Sequence, residues 1–255
     1  KYKKHRTLET VVKKSKIIFI CLPTPFYEDE MRIDLSICEE TLEEICGRIP
    51  EGSGKIIVIK STVIPGSTLK WQERWRHVPF VFNPEFLTEA NYLNDFVNTD
   101  RIVIGSTNDW ASQRLIMLYR NCPWFVHTPI LTMNPTAAEM VKYQSNILLA
   151  SRVTISNIIS DVCETMNVNY NEVKEAVGLD KRIGDSHLNV TTTKGYGSKC
   201  LPKDLASFVG LGKSLGRDMR VLEAIHNYNL SIRKDYDWRE IAGASVGGRK
   251  YKDKQ

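Results

Sequence analysis

The feature that most constrains this chain is a set of short aliphatic runs in its first half, at residues 17–22, 55–59, 80–82, 101–105 and 124–127. A strand with one wet face alternates apolar and polar residues. These runs are nearly continuous in Ile, Val and Phe, as strands buried on both faces are, and that pattern belongs to a parallel sheet covered by helices. Between them a helix is expected from residue 7 to 14, and another from Asp34 or Ser36 to Cys46, closed by Gly47 and Pro50. With 255 residues, 42% hydrophobic and 25% charged, the chain has room for one large or two modest domains.

After Thr132 the pattern changes. Asn134-Pro135 is a helix cap followed by a proline at the first helical position, and neither Pro nor Gly recurs before Met166. A helix of roughly 32 residues, about 48 Å at 1.5 Å per residue, is longer than a small domain needs. It is expected to link a sheet domain (1–132) to a helical one (133–240), and to offer Ile147, Ile155, Ile158 and Val162 to a second subunit. Further helices are expected over 170–177, 203–215 and 219–237, followed by a basic tail, 241–255. The fold class is α/β: an incomplete doubly wound, Rossmann-type parallel sheet, a long connecting helix and a helical domain. It is called incomplete because such a sheet opens with strand, G-x-G-x-x-G turn and helix, and these 255 residues contain no such glycine motif. The chain reads as though cut after the second strand.

The charge of +5 is too mild and too evenly spread to argue for nucleic acid, although it suits an anionic small substrate. The dense basic stretches, 1–16 and 249–254, read as solvated surface. No apolar run approaches the roughly 20 residues of a membrane span, and residues 1–5 lack a signal-peptide layout, so a cytoplasmic protein is expected. Six cysteines (Cys21, Cys38, Cys46, Cys122, Cys163 and Cys200) are scattered without a C-x-x-C pair, which points to neither a metal site nor a disulfide framework.

Four constellations could carry chemistry. Cys200 sits between a glycine loop, Gly195-Tyr196-Gly197-Ser198-Lys199, and a helix start at Leu201-Pro202-Lys203-Asp204. A helix N-terminus and two lysines favour a thiolate there, and Asp204 would lie one turn on; a small structural cysteine is the alternative. Glu139, Lys142 and Asn146 share one face of the long helix, forming either an alkoxide-stabilising pair or an exposed Glu-Lys pair with a neighbouring Asn. Polar clusters follow two strands, Lys60-Ser61-Thr62-Val63-Ile64-Pro65-Gly66 and Asn83-Pro84-Glu85-Phe86-Leu87-Thr88-Glu89, where open α/β sheets place their ligands; loop capping is the alternative for Ser61 and Asn83. Pro23-Thr24-Pro25 makes a rigid turn at a third strand end.

Taken in order, Cys21-Leu22-Pro23-Thr24-Pro25, Ser61-Thr62-Val63, Asn83-Pro84-Glu85-Phe86-Leu87, Ala138-Glu139 with Lys142 and Asn146, and Cys200-Leu201-Pro202-Lys203-Asp204 resemble the UDP-glucose/GDP-mannose dehydrogenase family. The resemblance implies an NAD-dependent, four-electron oxidation of a nucleotide sugar at C6, of the UDP-glucose to UDP-glucuronate type used in polysaccharide biosynthesis. By position, Cys200 would carry a thiohemiacetal and then a thioester. Lys142 and Asn146 would stabilise the C6 oxyanion, Asp204 would position water or Lys142, and Thr62 and Glu89 would act on water and proton. Glu85, Phe86, Leu87, Arg182 and Gly197 would contact the sugar nucleotide. Pro23, Thr24, Pro25, Ser61, Thr62, Glu89 and Lys203 would border NAD. A homodimer through the long helix is implied, with no nucleic acid or membrane partner. The sequence departs from the family at the absent phosphate loop and at Thr193-Lys194-Gly195-Tyr196-Gly197-Ser198-Lys199, where P-G-x-G-F-G-G has lost its Pro-Gly and Ser198 replaces a glycine. A C-terminal nucleotide-binding domain is also missing after Gln255, as in a truncated or naturally short form. The competing readings are an inactive structural homologue, which the departures favour, and a two-electron β-hydroxyacid dehydrogenase, which would need no cysteine.

Overall fold

The computed structural model describes residues 7–246, apart from the side chain of Glu89. The far ends of both basic stretches, residues 1–6 and 247–255, lie outside the described residues. The chain begins α1 (Leu8–Lys14), β1 (Ile17–Ile20), β2 (Phe26–Tyr27), β3 (Arg32–Ile33), α2 (Ser36–Cys46) and β4 (Ile56–Ile59). Next come α3 (Ser67–Arg74), β5 (Phe80–Phe82), α4 (Tyr92–Val97), β6 (Ile102–Gly105), α5 (Asp109–Arg120) and β7 (Ile130–Met133). The helices α6 (Pro135–Thr165), α7 (Tyr170–Gly178), α8 (Leu201–Ser214) and α9 (Arg220–Ile232) complete it. Contacts group these into two compact units: Lys1–Thr24 with Asp34–Lys142, and Pro25–Ile33 with Tyr143–Gln255.

The first unit is a five-stranded sheet in the order β1-β4-β5-β6-β7. Its pairs are parallel, in register Ile17↔Ile56 and Ile57↔Phe80, except that β5 meets β6 antiparallel at Phe82↔Gly105. The expected Rossmann-type parallel sheet is present, with one antiparallel pair within it. A parallel crossover needs a helix with an apolar face to lie on the sheet. The link from β5 to β6 offers only a 3-10 turn and the six-residue α4, which buries none of its residues, so the chain comes back in the opposite direction. Both sheet faces are covered, as the unbroken Ile/Val runs imply. Ile57, Ile59, Phe80 and Phe82 pack with Leu42 of α2 and Trp71 of α3, while Ile56, Val58, Val81 and Ile104 pack with Leu115 of α5. Gly105 closes β6 where a Cβ would fall 2.6 Å from the Ala138 Cβ and 2.8 Å from the Pro135 Cα, so the start of α6 can lie there only against glycine.

The strand expected at 124–127 does not form. Pro123 opens a 3-10 turn, Trp124 stays 63% exposed, and only Phe125 is buried. Arg120 Nη1 donates to the carbonyls of Phe125, Val126 and Thr128 at 2.7–3.0 Å, taking the acceptors a strand would need. The last strand is β7 instead. Asn134 Oδ1 accepts from Thr136 N (2.9 Å) at the start of α6, as expected; α2 instead has Leu35 at its N-cap with no side-chain cap bond, and Asp34 Oδ1 accepts from Ser36 N (2.9 Å) from one residue before the cap.

In the second unit α8 lies against α9 and against β3. The two-residue strands β2 and β3 pair antiparallel, and Phe26 is fully buried with Ala206, Trp238 and Ala244. Helix α9 stops at Ile232, short of the expected 237. Arg233 is extended, and its guanidinium is committed to Lys194 O (3.1 Å), Asp235 (2.9 Å) and Asp237 (3.3 Å), which turns the chain out of the helix. Along α6, Ile155, Ile158 and Val162 are exposed as expected, but Ile147 is buried.

Candidate active site

At the carboxyl edge of the sheet, hydroxyls tie β1 to β4. Ser61 Oγ accepts from Leu22 N (2.7 Å) and donates to Leu22 O (2.8 Å), and Thr24 Oγ1 donates to Thr62 O (2.9 Å). Ser61 therefore does cap a strand end, and the Pro23-Thr24 turn is fixed beside it. Thr62 is half-buried. Pro25 groups with the second unit.

One strand further, Lys60 Nζ donates to Asn83 O (3.1 Å) and Asn83 Oδ1 (3.0 Å). The same Oδ1 accepts from Tyr119 OH (2.5 Å), and Asn83 Nδ2 donates to Val103 O (2.7 Å). Burial draws the Lys60 ammonium down to about 8; Cys21 and Glu85 pull the other way, and Lys142 adds to the lowering. Burial also lifts the Tyr119 phenol to about 12. Asn83 begins the 83–87 segment, and Glu85 within it receives Lys142. The Lys142 ammonium, its side chain only 4% exposed, donates to Glu85 O (2.8 Å) and Glu85 Oε1 (3.1 Å), while Glu85 Oε2 accepts from Leu87 N (2.7 Å). The Phe86 ring lies 5.7 Å from the Lys142 ammonium and 4.1 Å from the Arg101 guanidinium.

Glu139 is not the exposed partner of Lys142. It is fully buried and accepts from Gly66 N (2.5 Å), Thr68 N (2.9 Å) and Thr68 Oγ1 (2.6 Å), capping the start of α3 from another helix. Burial raises its carboxyl, and these hydrogen bonds partly offset the rise.

In the second unit Cys200 is the N-cap residue of α8, and Pro202 lies in the first turn. Asp204, fully buried, accepts from Asn146 Nδ2 (2.5 Å) and pairs with Lys203 Nζ (2.5 Å). Asn146 lies one turn beyond Lys142 on α6. The loop before Cys200 is held by residues to which no sequence motif points. Tyr196 N donates to Asn229 Oδ1 (2.7 Å), Asn229 Nδ2 returns a bond to Tyr196 O (3.0 Å), and Gly195 N donates to Asn157 Oδ1 (3.2 Å). Ser198 N donates to both oxygens of Asp237 (3.0 Å). Gly197 lies where a Cβ would collide with Arg233 and Asp237. Ser198 stands at φ 60°, in the left-handed region that favours glycine, at the position where the sequence departs from the family's glycine. Arg182 stands apart, its side chain 89% exposed and forked onto Asp180 (2.6 Å).

A mainly parallel, doubly covered sheet with a polar carboxyl edge, and one long helix that leads from it into a helical unit with a cysteine at a helix start, define a two-part α/β protein with a Rossmann-type sheet. Residues 1–123 match the NAD binding domain of the UDP-glucose/GDP-mannose dehydrogenase family, and residues 136–231 match its central domain. The chain belongs to that family. It is 31% identical over 248 residues to the UDP-glucose 6-dehydrogenase AglM of Haloferax volcanii (88% of this chain, 56% of the relative). It is 32% identical over 229 residues to TuaD of Bacillus subtilis, also a UDP-glucose 6-dehydrogenase (87% and 48%). A solved UDP-glucose dehydrogenase from Pyrobaculum islandicum is 33% identical with a TM-score of 0.80, covering 89% of this chain and 53% of that one. The chain thus spans about half the length of the curated relatives it matches.

The residues present fit part of an NAD site. The Pro23-Thr24 turn and Ser61 are immobilised by bonds to each other's strand ends at the carboxyl edge of the sheet, where such a fold places its ligand. Among the described residues no cluster of His, Cys, Asp or Glu suits a metal ion, and no helix is long and apolar enough to cross a membrane.

Proposed function

We propose that this chain carries the cysteine-bearing portion of an NAD-dependent nucleotide-sugar 6-dehydrogenase, which oxidises the C6 alcohol of a UDP-glucose-type substrate to the carboxylate. The observation that carries the reading lies on α6: Lys142 and Asn146, one turn apart, are both buried and each meets a carboxylate, Glu85 for the first and Asp204 for the second. Buried polar groups each held by its own carboxylate are of the kind that functional sites use, and Asp204 lies four residues beyond a cysteine at a helix start.

In this reading NAD, bordered by Pro23, Thr24, Pro25, Ser61, Thr62, Glu89 and Lys203, supplies the hydride acceptor for both oxidations. Lys142 stabilises the alkoxide that develops at C6, with Asn146 as second donor. The Cys200 thiolate adds to the C6 carbonyl, whose oxygen takes a proton from water, so that Cys200 holds the sugar as a thiohemiacetal; loss of that proton to water and of the C6 hydride to NAD then leaves a thioester. Water attacks the thioester carbonyl, the C–S bond breaks and the thiolate is regenerated. Asp204 holds Asn146 in place, and Thr62 and Glu89 act on the water and its proton. Glu85, Phe86, Leu87, Arg182 and Gly197 contact the sugar nucleotide. The exposed stripe Leu148, Ile155, Ile159 and Val162, spaced at helical intervals along α6, supports a homodimer.

The test is the NADH yield from UDP-glucose, UDP-N-acetyl sugars and GDP-mannose, with Cys200→Ser as comparison. Two NADH per sugar consumed, with no uronate from the variant, is the expected result. One NADH per sugar, or uronate from the variant, would refute the cysteine route.

A further inference from the structure

Lys60 has no role in the proposed reaction, yet it is a buried cation at the sheet's carboxyl edge with both of its bonds on one residue. Its ammonium holds two acceptors of one buried residue, Asn83 O and Asn83 Oδ1. Asn83 is thereby saturated: Tyr119 OH donates to its Oδ1, its Nδ2 donates to Val103 O, and its N–H donates to Ile59 O (2.8 Å). Beyond Asn83 the chain leaves the strand: Pro84 has no N–H to donate, Leu87 N is bonded to the nearby Glu85 carboxylate, and Phe86 packs on the core beside the Lys142 and Arg101 cations. The 83–87 segment is therefore pinned by two ammonium groups, Lys60 at its first residue and Lys142 at its third.

We propose that Lys60 is a positioning residue: by clamping Asn83 it fixes the 83–87 segment and so sets where Glu85 presents the Lys142 ammonium. A neutral side chain of similar length would leave Asn83 O without a donor, and the segment could then drift on Glu85 and Lys142 alone. Arginine, which is charged and carries several donors, can keep both bonds. The groups around the Lys60 ammonium are Cys21 from the end of β1, Tyr119 from α5, Glu85 from the segment itself and Lys142 from α6. Glu85 therefore stands between two cations, and removing one changes both its position and the field at the other. The consequence for turnover rests on the dehydrogenase reading; the clamp itself does not.

The test compares Lys60→Met and Lys60→Arg with the unaltered chain by hydrogen exchange at the Leu87 amide, with Val58 in β4 as the control, and by steady-state kinetics. Lys60→Met is expected to speed exchange at Leu87 roughly tenfold or more while leaving Val58 unchanged. It should lower kcat by about 10- to 100-fold with little change in KM for NAD, as a displaced but intact catalytic group does. Lys60→Arg should restore both. If Lys60→Met does not fold, Lys60→Leu, which also has no donor, replaces it in the same comparison. Unchanged exchange at Leu87, or an arginine variant as impaired as the neutral one, would overturn the proposal. If the unaltered chain turns over no nucleotide sugar, the dehydrogenase reading fails and the exchange measurement still decides the clamp.

Discussion

The buried ammonium of Lys60 should be visible in the stability of the protein as a function of pH. Folding lowers its value from 10.5 to about 8. Between those values the unfolded chain binds a proton that the folded chain has released, so stability must rise with pH across that window and be least favoured below it. Each unit of separation corresponds to about 1.4 kcal/mol, which gives a contribution of about 3 kcal/mol over the whole window and about 1 kcal/mol between pH 8 and 9. Above pH 9 the sign is contested. Burial raises Cys38 from 9.0 to about 11 and Cys46 from 9.0 to about 12, so in the unfolded chain these thiols ionise first and stability falls. The clean interval is therefore pH 8 to 9. Urea unfolding of the unaltered chain and of Lys60→Met, each at several pH values, isolates the effect, because every other titrating group is common to both. The unaltered chain should gain about 1 kcal/mol over that interval relative to the variant. Parallel curves would refute the burial argument, and a relative loss would reverse its sign.

Asp204→Ala should destabilise the protein by about 3–5 kcal/mol in urea, because it leaves the buried Lys203 ammonium without its counter-charge and frees the Asn146 amide. Glu139→Ala removes three hydrogen bonds at the start of α3 and should cost about 2–4 kcal/mol, with Glu139→Gln in between because its amide oxygen can still accept. Ile155→Glu, on the exposed stripe of α6, should halve the sedimenting mass while changing unfolding of the separated subunit by less than about 0.5 kcal/mol.

The sheet was legible because its signal is local: an unbroken Ile/Val run such as 56–59 cannot be wetted on either face, and it lies where the pattern placed it. So was α6, since Asn134-Pro135 marks its start and the absence of breakers its length. The failures share another cause. The reversal at β6 and the loss of a strand at 124–127 depend on what is not in the sequence window, namely a crossover helix able to cover the sheet and free carbonyls after Phe125. Glu139 was misjudged for the same reason, because spacing on one helix cannot show that Thr68, 71 residues away, supplies the better partner. The residues that brace the Cys200 loop, Asn157, Asn229 and Asp237, carry no motif at all. Lys60 carried a faint one, a lysine directly after a fully buried strand.

The central claim is that Cys200 holds the sugar carbon covalently. The most direct measurement is acid quenching of the protein during turnover with NAD and the preferred nucleotide sugar, followed by peptide mass analysis. The predicted result is an acyl adduct on the peptide containing Cys200, labile to hydroxylamine and absent in Cys200→Ser. Uronate formed with Cys200 unmodified, and formed equally by Cys200→Ser, would contradict it.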